Sequence, residues 1–142
     1  MPRIGLTYNV TGRIGPEVRK ILSAVVRATA FNIEAAAKAS MTEAKHGVEY
    51  RRGGKTHVAS APGEAPAVDI GALMASVQAR EDTDDLHWEV RVGAEYGVHL
   101  EFGTVHIAPR PFMAPAAEGQ RDAFERACAA AVARGVRNAG KP

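Results

Sequence analysis

The sequence predicts an α+β fold in which a long N-terminal helix and a C-terminal helix pack on a small, mainly antiparallel sheet. Two stretches, residues 16–41 and the region after Pro115, repeat apolar side chains every three or four residues, which is the spacing of one helix face. Between them, residues 77–93 alternate apolar and polar side chains around a polar turn, as the strands of a hairpin do. The 142 residues suffice for one core, so we expect residues 1–142 to form a single domain.

Composition and charge exclude several classes of protein. Hydrophobic residues make up 46% and charged residues 24% of the chain, as in ordinary globular proteins rather than disordered ones. A net charge of +2 is too small to predict nucleic-acid binding without a local basic cluster. Cys128 is the only cysteine, which excludes an intramolecular disulfide and a multi-cysteine metal site. Because no run of about 18 apolar residues occurs, we expect synthesis in the cytoplasm and no membrane partner.

The N-terminal segment, residues 1–15, precedes the long helix. Residues 3–12 fit a short strand, although glycines interrupt the pattern. Pro16 suits the start of the helix at residues 16–41, because its missing N–H would have no partner in a first turn. Glu17 complements the positive end of the helix dipole. The predicted apolar face consists of Val18, Ile21, Leu22, Val25, Val26, Thr29 and Ile33.

Residues 42–69 predict a loop and a loose hairpin. The two glycines in the Gly-Gly-Lys-Thr run at residues 53–56 suit the hairpin tip, and residues 60–67 show no periodicity. The same run ends like a phosphate-binding loop. Glu49, however, stands where that motif needs a glycine, and its charge would repel phosphate. We therefore predict a hairpin tip rather than a nucleotide site.

Residues 70–107 predict a short helix followed by a β-hairpin. Asp69 is placed to cap the helix with its side-chain oxygen. Strands at residues 77–81 and 86–93 flank a turn of three aspartates and a threonine. The apolar positions of the second strand point to one buried face, on which we expect Trp88 to anchor the core.

Residues 108–142 predict an extended proline-rich segment and the C-terminal helix. Pro109, Pro111 and Pro115 restrict the backbone dihedral angles, and a helix can begin near the last of them. The predicted apolar face of that helix consists of Phe124, Ala127, Cys128 and Ala131.

Residues typical of active sites occur without the rest of their motifs. His99 and Glu101 match the His-x-Glu half of a zinc deaminase signature, but the Pro-Cys-x-x-Cys half is missing. With His106 they could surround a metal ion, yet three ligands from one loop with no partner elsewhere are more often a coincidence. No nucleophile elbow surrounds Ser23, Ser40, Ser60 or Ser76. We therefore expect no enzyme, no metal and no cofactor.

The densest basic cluster consists of Arg51, Arg52 and Lys55 in the hairpin. Such a cluster could contact a nucleic-acid backbone, and a solvated loop is the alternative interpretation. Tyr50 alone adjoins the cluster, whereas proteins that bind single strands place several aromatic side chains among the charges.

An ordered series of short motifs runs through residues 60–116. The series is Ser60-Ala61-Pro62-Gly63-Glu64-Ala65-Pro66, Asp69-Ile70-Gly71-Ala72-Leu73 with Ser76-Val77, Tyr96, Leu100-Glu101-Phe102-Gly103-Thr104, and Arg110-Pro111-Phe112-Met113-Ala114-Pro115-Ala116. In order and spacing it resembles the lambdoid-phage tail-component family, small proteins of the tail completion or head-to-tail joining type. The resemblance covers roughly residues 16–135.

This resemblance implies a virion structural protein of the phage neck or tail, made in the bacterial host cytoplasm and lacking a cofactor. It implies a homo-oligomeric ring, with a hexamer as the expected state. The implied partners are head-closure or stopper, tail terminator and tail tube proteins, with passing DNA as a further contact. A complete phage and a gene transfer agent both fit. The alternative function is a nucleic-acid-binding accessory protein that uses Arg51, Arg52 and Lys55.

The motifs of the resemblance also supply the candidate site residues. We expect subunit-contact or fold-signature roles for Tyr96, Glu101, Phe102, Gly103, Arg110, Pro111, Phe112 and Pro115. A proline-stiffened segment with one cation and one aromatic side chain suits docking on a neighbour, because little entropy is lost on binding. The alternative is that Phe102 and Phe112 fill the core of their own domain.

Overall fold

A computed structural model describes residues 4–5 and 15–139 of the chain. The elements are β1 (Ile4–Gly5), α1 (Pro16–Thr42), β2 (Glu49–Arg52), β3 (Lys55–Val58), α2 (Ala72–Ser76), β4 (Val77–Glu81), β5 (Trp88–Val92), α3 (Gly97–Phe102) and α4 (Met113–Ala139). The predicted α+β class is confirmed, with a long helix near each end of the chain. Of the predicted N-terminal strand, residues 4–5 form β1 and the remainder lies outside the described residues.

Helices α1 and α4 pack lengthwise against each other. The predicted period of α1 is confirmed, since its buried residues are Leu22, Val26, Thr29, Ala30, Ile33, Ala37 and Met41. Phe124, Cys128 and Ala131 of α4 meet the N-terminal half of α1 in one core cluster. Near the end of α4, a Cβ added to Gly135 would lie 2.1 Å from Cγ2 of Val18. Glycine at this position therefore lets the two helices approach closely.

Strands β1, β5 and β4 form an antiparallel sheet in that order. The second strand of the predicted hairpin begins at Trp88 rather than at residue 86, because the turn before it extends further than expected. The Asp84 carboxylate accepts the backbone N–H of Leu86 at 2.8 Å and lies 2.8 Å from Nδ1 of His87. These contacts, with Arg19 nearby, lower the pKa of Asp84, His87 making the largest contribution.

The burial of β5 differs from simple alternation. Trp88 is half-buried and packs against both core clusters, as an anchor should. Glu89 is buried as well, although the sequence places it on the polar face. Burial opposes its ionisation, but the charges of Arg91 and Arg80 outweigh that effect and lower the pKa of Glu89. The two arginines cover this carboxylate and so remove it from solvent.

The outer edge of β4 is protected by a side chain of α1. The backbone N–H of Ala79 donates to Oε2 of Glu34 at 2.7 Å, and Oε1 of Glu34 pairs with Nζ of Lys38 at 2.5 Å. Burial opposes ionisation of Glu34, but the bonds from Lys38 and Ala79 outweigh it and lower its pKa. Glu34 thus occupies a backbone donor that an edge strand would otherwise offer to another chain.

Strands β2 and β3 form a second, separate two-stranded antiparallel sheet. The predicted hairpin itself is confirmed, with Gly53 and Gly54 at its tip. Their φ angles of 56° and 78° suit a two-residue turn that matches the twist of the strands. The ribbon stays apart from the larger sheet because its side chains are mostly exposed and offer no apolar face to bury.

The prediction that Asp69 caps α2 was wrong. Gly71, with φ of 79°, occupies the N-cap position, and no side chain bonds to the start of the helix. Asp69 lies outside the helix and forms an ion pair with Arg52 of β2. The guanidinium of Arg52 competes with the first N–H groups of α2 for the carboxylate of Asp69. The sequence around Asp69 does not show that Arg52 lies nearby.

Candidate interaction site

Glu101, the penultimate residue of α3, caps the N-terminus of α4. Its carboxylate accepts backbone N–H groups from Phe112 at 2.9 Å, Met113 at 3.0 Å and Ala114 at 2.8 Å. The first N–H groups of a helix lack internal partners, and the positive end of the dipole favours a negative charge there. Helix α4 therefore begins at Met113, two residues before Pro115, which occupies the first turn where proline is tolerated.

Gly103 turns the chain sharply at the end of α3. Its φ is 75°, and a Cβ at this position would lie 2.7 Å from the carbonyl oxygen of Ile107. The N–H of Thr104 donates to that same carbonyl at 2.8 Å. In return, the Thr104 hydroxyl oxygen accepts the N–H groups of His106 and Ile107, each at 3.2 Å. The loop is consequently a fixed turn rather than a loose connection.

Arg110 fastens the proline-rich segment to the loop at residues 60–66. Its Nε donates to the carbonyl of Ser60 at 3.2 Å, and its backbone N–H donates to the carbonyl of Leu100 at 2.6 Å. The N–H of Gly63 donates to the carbonyl of Pro109 at 2.9 Å, which ties the same two segments together. The extended path of this segment is therefore held by three hydrogen bonds.

The loop at residues 60–66 is organised by Glu64. The Glu64 carboxylate accepts the backbone N–H of Ala61 at 2.8 Å and that of His46 at 3.1 Å, and it lies 2.5 Å from Nδ1 of His46. These bonds, the one from Ala61 foremost, lower the pKa of Glu64 to about 2. A segment without sequence periodicity thus has a defined structure.

The two aromatic candidates have opposite placements. Phe112 is 1% exposed and fills the core cluster between α1 and the three-stranded sheet. Phe102 is 61% exposed, although it follows the buried Glu101 directly. Tyr96, one residue before α3, is exposed too. Hence Phe112 fills its own domain, and Phe102 and Tyr96 face outward.

The remaining candidates surround these residues. Glu101 is 7% exposed and belongs to the fold, Gly103 and Pro111 are half-buried, and Pro115 is exposed. The structure therefore places most of the predicted set in or around the connection between α3 and α4, and leaves Tyr96 and Phe102 facing outward at the two ends of α3.

Exposed apolar side chains cluster around α3. On one side of the helix a groove, here called the α3 groove, has apolar walls and Arg110 at its edge. Its walls include Met41, Tyr50, Val68, Ile70, Leu73, Tyr96 and Leu100. Ile70 is 76% exposed, and Val105 and Ile107 in the following turn are exposed as well. Water-facing apolar groups at this density are typical of a protein interaction surface.

Sequence reasoning missed Ile70, Val105 and Ile107 as surface residues. It also missed α3, because its six residues are too short for periodicity to show. The sequence did contain a local signal for the exposure of Val105 and Ile107. Both lie between Gly103 and Pro109, in a segment too short to form an element that could bury them.

The basic cluster lies at the tip of the β2–β3 hairpin. Arg52 is paired with Asp69, whereas Arg51 and Lys55 form no ion pair with any residue that the structure describes. Tyr50 stacks on His57 across the two strands, with ring centroids 5.5 Å apart. Two cations are therefore free at the tip, rather than the three that the sequence shows.

The polar residues considered for catalysis are engaged in the fold. Both carboxylate oxygens of Glu101 accept helix N–H groups, so they do not form a site with His99 and His106. Within residues 15–138, no group of three His, Cys, Asp or Glu side chains is arranged to hold a metal ion. Ser23, Ser40 and Ser76 donate to helix carbonyls.

Two further observations concern α4 and the long helices in general. Cys128 is buried in the core between α1 and α4, and burial raises the pKa of its thiol. Among the helices described, none combines the length and the apolar character needed to cross a membrane.

A family model matches residues 11–103, a stretch that contains every described element from α1 to α3. Its description is "Bacteriophage HK97-gp10, putative tail-component". The capping residue Glu101 falls inside the match, while Arg110, Phe112 and Pro115 fall beyond it. No curated protein and no solved structure matches the chain. The match spans about two thirds of the sequence and agrees with the predicted resemblance, so the chain belongs to the HK97-gp10-like family of phage tail components.

Proposed function

We propose that this protein is a structural subunit of the phage neck or tail that completes the tail or joins it to the head. It assembles as a homo-oligomeric ring, with a hexamer as the expected state, and contacts head-closure, terminator or tail tube proteins. The observation that carries the proposal is family membership over residues 11–103, together with the exposed apolar side chains around α3 in that same region.

The α3 surface suits docking for two physical reasons. Apolar side chains such as Ile70 and Phe102 gain free energy when a partner removes them from water. The backbone at Phe102 is already fixed by the cap of the adjacent Glu101 and by the Arg110 bond to Leu100, so little conformational entropy is lost there on association. A rigid apolar surface of this kind favours a permanent structural contact.

A structural role also agrees with how the polar residues are used. The side chains of Glu101, Glu64 and Arg110 form hydrogen bonds with backbone groups of their own chain. We therefore propose that the protein acts by shape and contact, without catalysis and without a cofactor.

Deletion of the gene tests the function. We expect particles from the deletion strain to consist of finished heads and finished tails that do not join or that join unstably. Wild-type protein supplied in trans should restore joined particles, and Phe102→Asp should not. Val136→Asp provides the matched control, since Val136 is exposed on α4 far along the chain from α3. Normal yields of infectious or DNA-transferring particles from the deletion strain would refute the proposal.

A second candidate function is nucleic-acid binding through the hairpin tip, because Arg51 and Lys55 have no ion pair among the described residues. It predicts salt-sensitive DNA binding that the triple substitution Arg51→Ala, Arg52→Ala, Lys55→Ala abolishes. Asp69→Ala is the matched control, because it breaks the Arg52 ion pair and keeps all three cations. Equal DNA affinity in wild type and triple variant eliminates this function.

A further inference from the structure

The β2–β3 ribbon is an unpartnered sheet. All four residues of β2 are exposed, and β3 is exposed at Lys55 and Thr56. A two-stranded ribbon is at best marginally stable by itself in water. Hydrogen bonds between Gly47, Val48 and Ala59 continue the ladder at the base of the ribbon, and the ion pair between Arg52 and Asp69 links the ribbon to the segment before α2.

The ribbon and the α3 groove form one continuous surface. Tyr50 belongs to both, because it stacks on His57 in the ribbon and lines the groove. At the tip, Arg51 and Lys55 point to opposite faces of the ribbon, since they occupy adjacent cross-strand pairs. This first surface is therefore apolar at its base and positively charged at its tip.

A second surface with the opposite charge lies at the β4–β5 turn. Its acidic residues are Glu81, Asp82, Asp84 and Asp85. Arg19 forms ion pairs with Asp84 and Asp85, but Glu81 and Asp82 have no ion pair within the described part of the chain.

Aromatic side chains lie beside this acidic turn. Phe31 is 45% exposed and contacts Trp88, with ring centroids 5.4 Å apart. The guanidinium of Arg27 lies 5.8 Å from each ring centroid, and a shallow depression joins these rings to Glu81 and Asp85. Lys20 and Arg27 also line this depression, and Asp85 pairs with Arg19. Among the described residues, the unpaired negative charge of the second surface is therefore that of Glu81 and Asp82, beside the aromatic rings.

The acidic turn and the ribbon lie near opposite ends of α1, and Phe31 of the second surface lies near the middle of the helix. Arg19 touches the acidic turn, whereas Met41 lines the α3 groove next to the ribbon. The 22 residue steps from Arg19 to Met41 span roughly 33 Å along the helix. A ribbon of four residues per strand cannot cross that distance, so the ribbon of one molecule cannot reach its own acidic turn.

We propose that the positively charged ribbon of one copy docks on the acidic β4–β5 turn of a second copy of this chain. This inference rests on the proposed ring and specifies its contact. Because two different surfaces meet, the association is head to tail, and it closes into a ring when the rotation per subunit allows it. The charges fix the orientation of the two copies, and the apolar areas beside them supply the burial.

Two charge-reversed variants test the contact. The ribbon variant carries Arg51→Glu and Lys55→Glu, and the turn variant carries Glu81→Lys and Asp82→Lys. Each alone places like charges together, and self-association measured by sedimentation at low salt should weaken about tenfold or more. An equimolar mixture should regain association, because each variant then offers the surface that the other requires. Fluorescence transfer between differently labelled variants should report alternating copies.

The control carries Asp122→Lys and Glu125→Lys on exposed residues of α4. It has the same charge change as the turn variant and should associate like wild type. Thermal unfolding checks that every variant folds. A mixture that associates no better than its components overturns the proposal, as does a wild-type chain that does not self-associate at millimolar concentration. If the ribbon variant loses DNA binding and the turn variant assembles normally, the ribbon is a nucleic-acid contact instead. Particle imaging with labelled protein tests the neck location separately.

Discussion

The carboxylate of Glu101 accepts the backbone N–H of Phe112 at 2.9 Å, which joins the end of α3 to the start of α4 across eleven residues. Two further N–H groups share the same carboxylate. The joint places the carboxylate of Glu101 at the positive end of a long helix, where the helix dipole and three N–H groups stabilise it.

Removal of this cap should destabilise the fold. We expect Glu101→Ala to lower the free energy of unfolding by about 2 to 3 kcal/mol and Glu101→Gln by about 1 kcal/mol, since the amide keeps one acceptor. Urea unfolding measures both. Glu95→Ala, on an exposed neighbour, should stay within about 0.5 kcal/mol of wild type. Equal stability of Glu101→Ala and Glu95→Ala would contradict the capping role.

The two phenylalanines should respond differently to substitution. Phe112→Ala removes a buried ring and should cost about 3 to 5 kcal/mol of unfolding free energy. Phe102→Ala removes an exposed ring and should change that free energy by less than about 0.5 kcal/mol. Thermal or urea unfolding of the purified variants decides the matter. A large loss of stability in Phe102→Ala would place that ring in the core of its own domain.

Two glycines of α4 give opposite expectations for the same substitution. Gly135→Ala forces a methyl group against Val18 and should destabilise the helix pair by about 1 to 3 kcal/mol. Gly119 has open space around its Cα, so Gly119→Ala should stabilise the chain by about 0.5 to 1 kcal/mol. Calorimetry of both variants provides the comparison. Stabilisation by both substitutions would show that helix propensity outweighs the close approach at Gly135.

The Glu64 loop should resist acid. The folded pKa of about 2 lies below the ordinary value of 4.5, so the contribution of this carboxylate to stability is complete above pH 4.5 and disappears as pH falls through 2. An NMR titration of the Glu64 carboxyl carbon should have its midpoint near pH 2. In His46→Ala the midpoint should rise, and the bond from Ala61 should keep it below 4.5. A wild-type midpoint near 4.5 would mean that these bonds do not persist in solution.

Glu34 should limit pairing at the edge of β4. Glu34→Ala leaves the Ala79 N–H without its acceptor, and we expect a loss of about 1 to 2 kcal/mol in unfolding free energy. Light scattering should also detect more self-association, because a free strand edge pairs with other chains. Lys38→Ala keeps the Ala79 bond and serves as the control. Identical scattering from both variants would argue against edge protection.

Elements with a strong local period could be predicted from the sequence. Helix α1 and the β4–β5 hairpin follow directly from apolar spacing, and the ribbon tip follows from two adjacent glycines. In each case neighbouring residues determine the outcome, so tertiary contacts add little information.

Features that depend on distant partners could not be predicted. Asp69 looks like a helix cap until Arg52 is placed beside it, and Glu89 looks exposed until two arginines cover it. The sequence next to Phe102 and the sequence next to Phe112 both leave burial undecided, and only the fold assigns one ring to solvent and the other to the core. The placement of these side chains depends on ion pairs and packing between residues far apart in the sequence. The periodicity of the sequence does not depend on such contacts and therefore cannot predict them.

The joint at Glu101 has a consequence for how this protein can evolve. Its three donors are peptide groups, which are the same whatever side chains the C-terminal helix carries at those positions. The acceptor lies within residues 11–103, the stretch shared with the family, and the donors lie beyond it. The sequence of α4 could therefore change extensively during evolution without loss of its attachment to α3. The attachment requires only that an acidic residue remain at the end of α3.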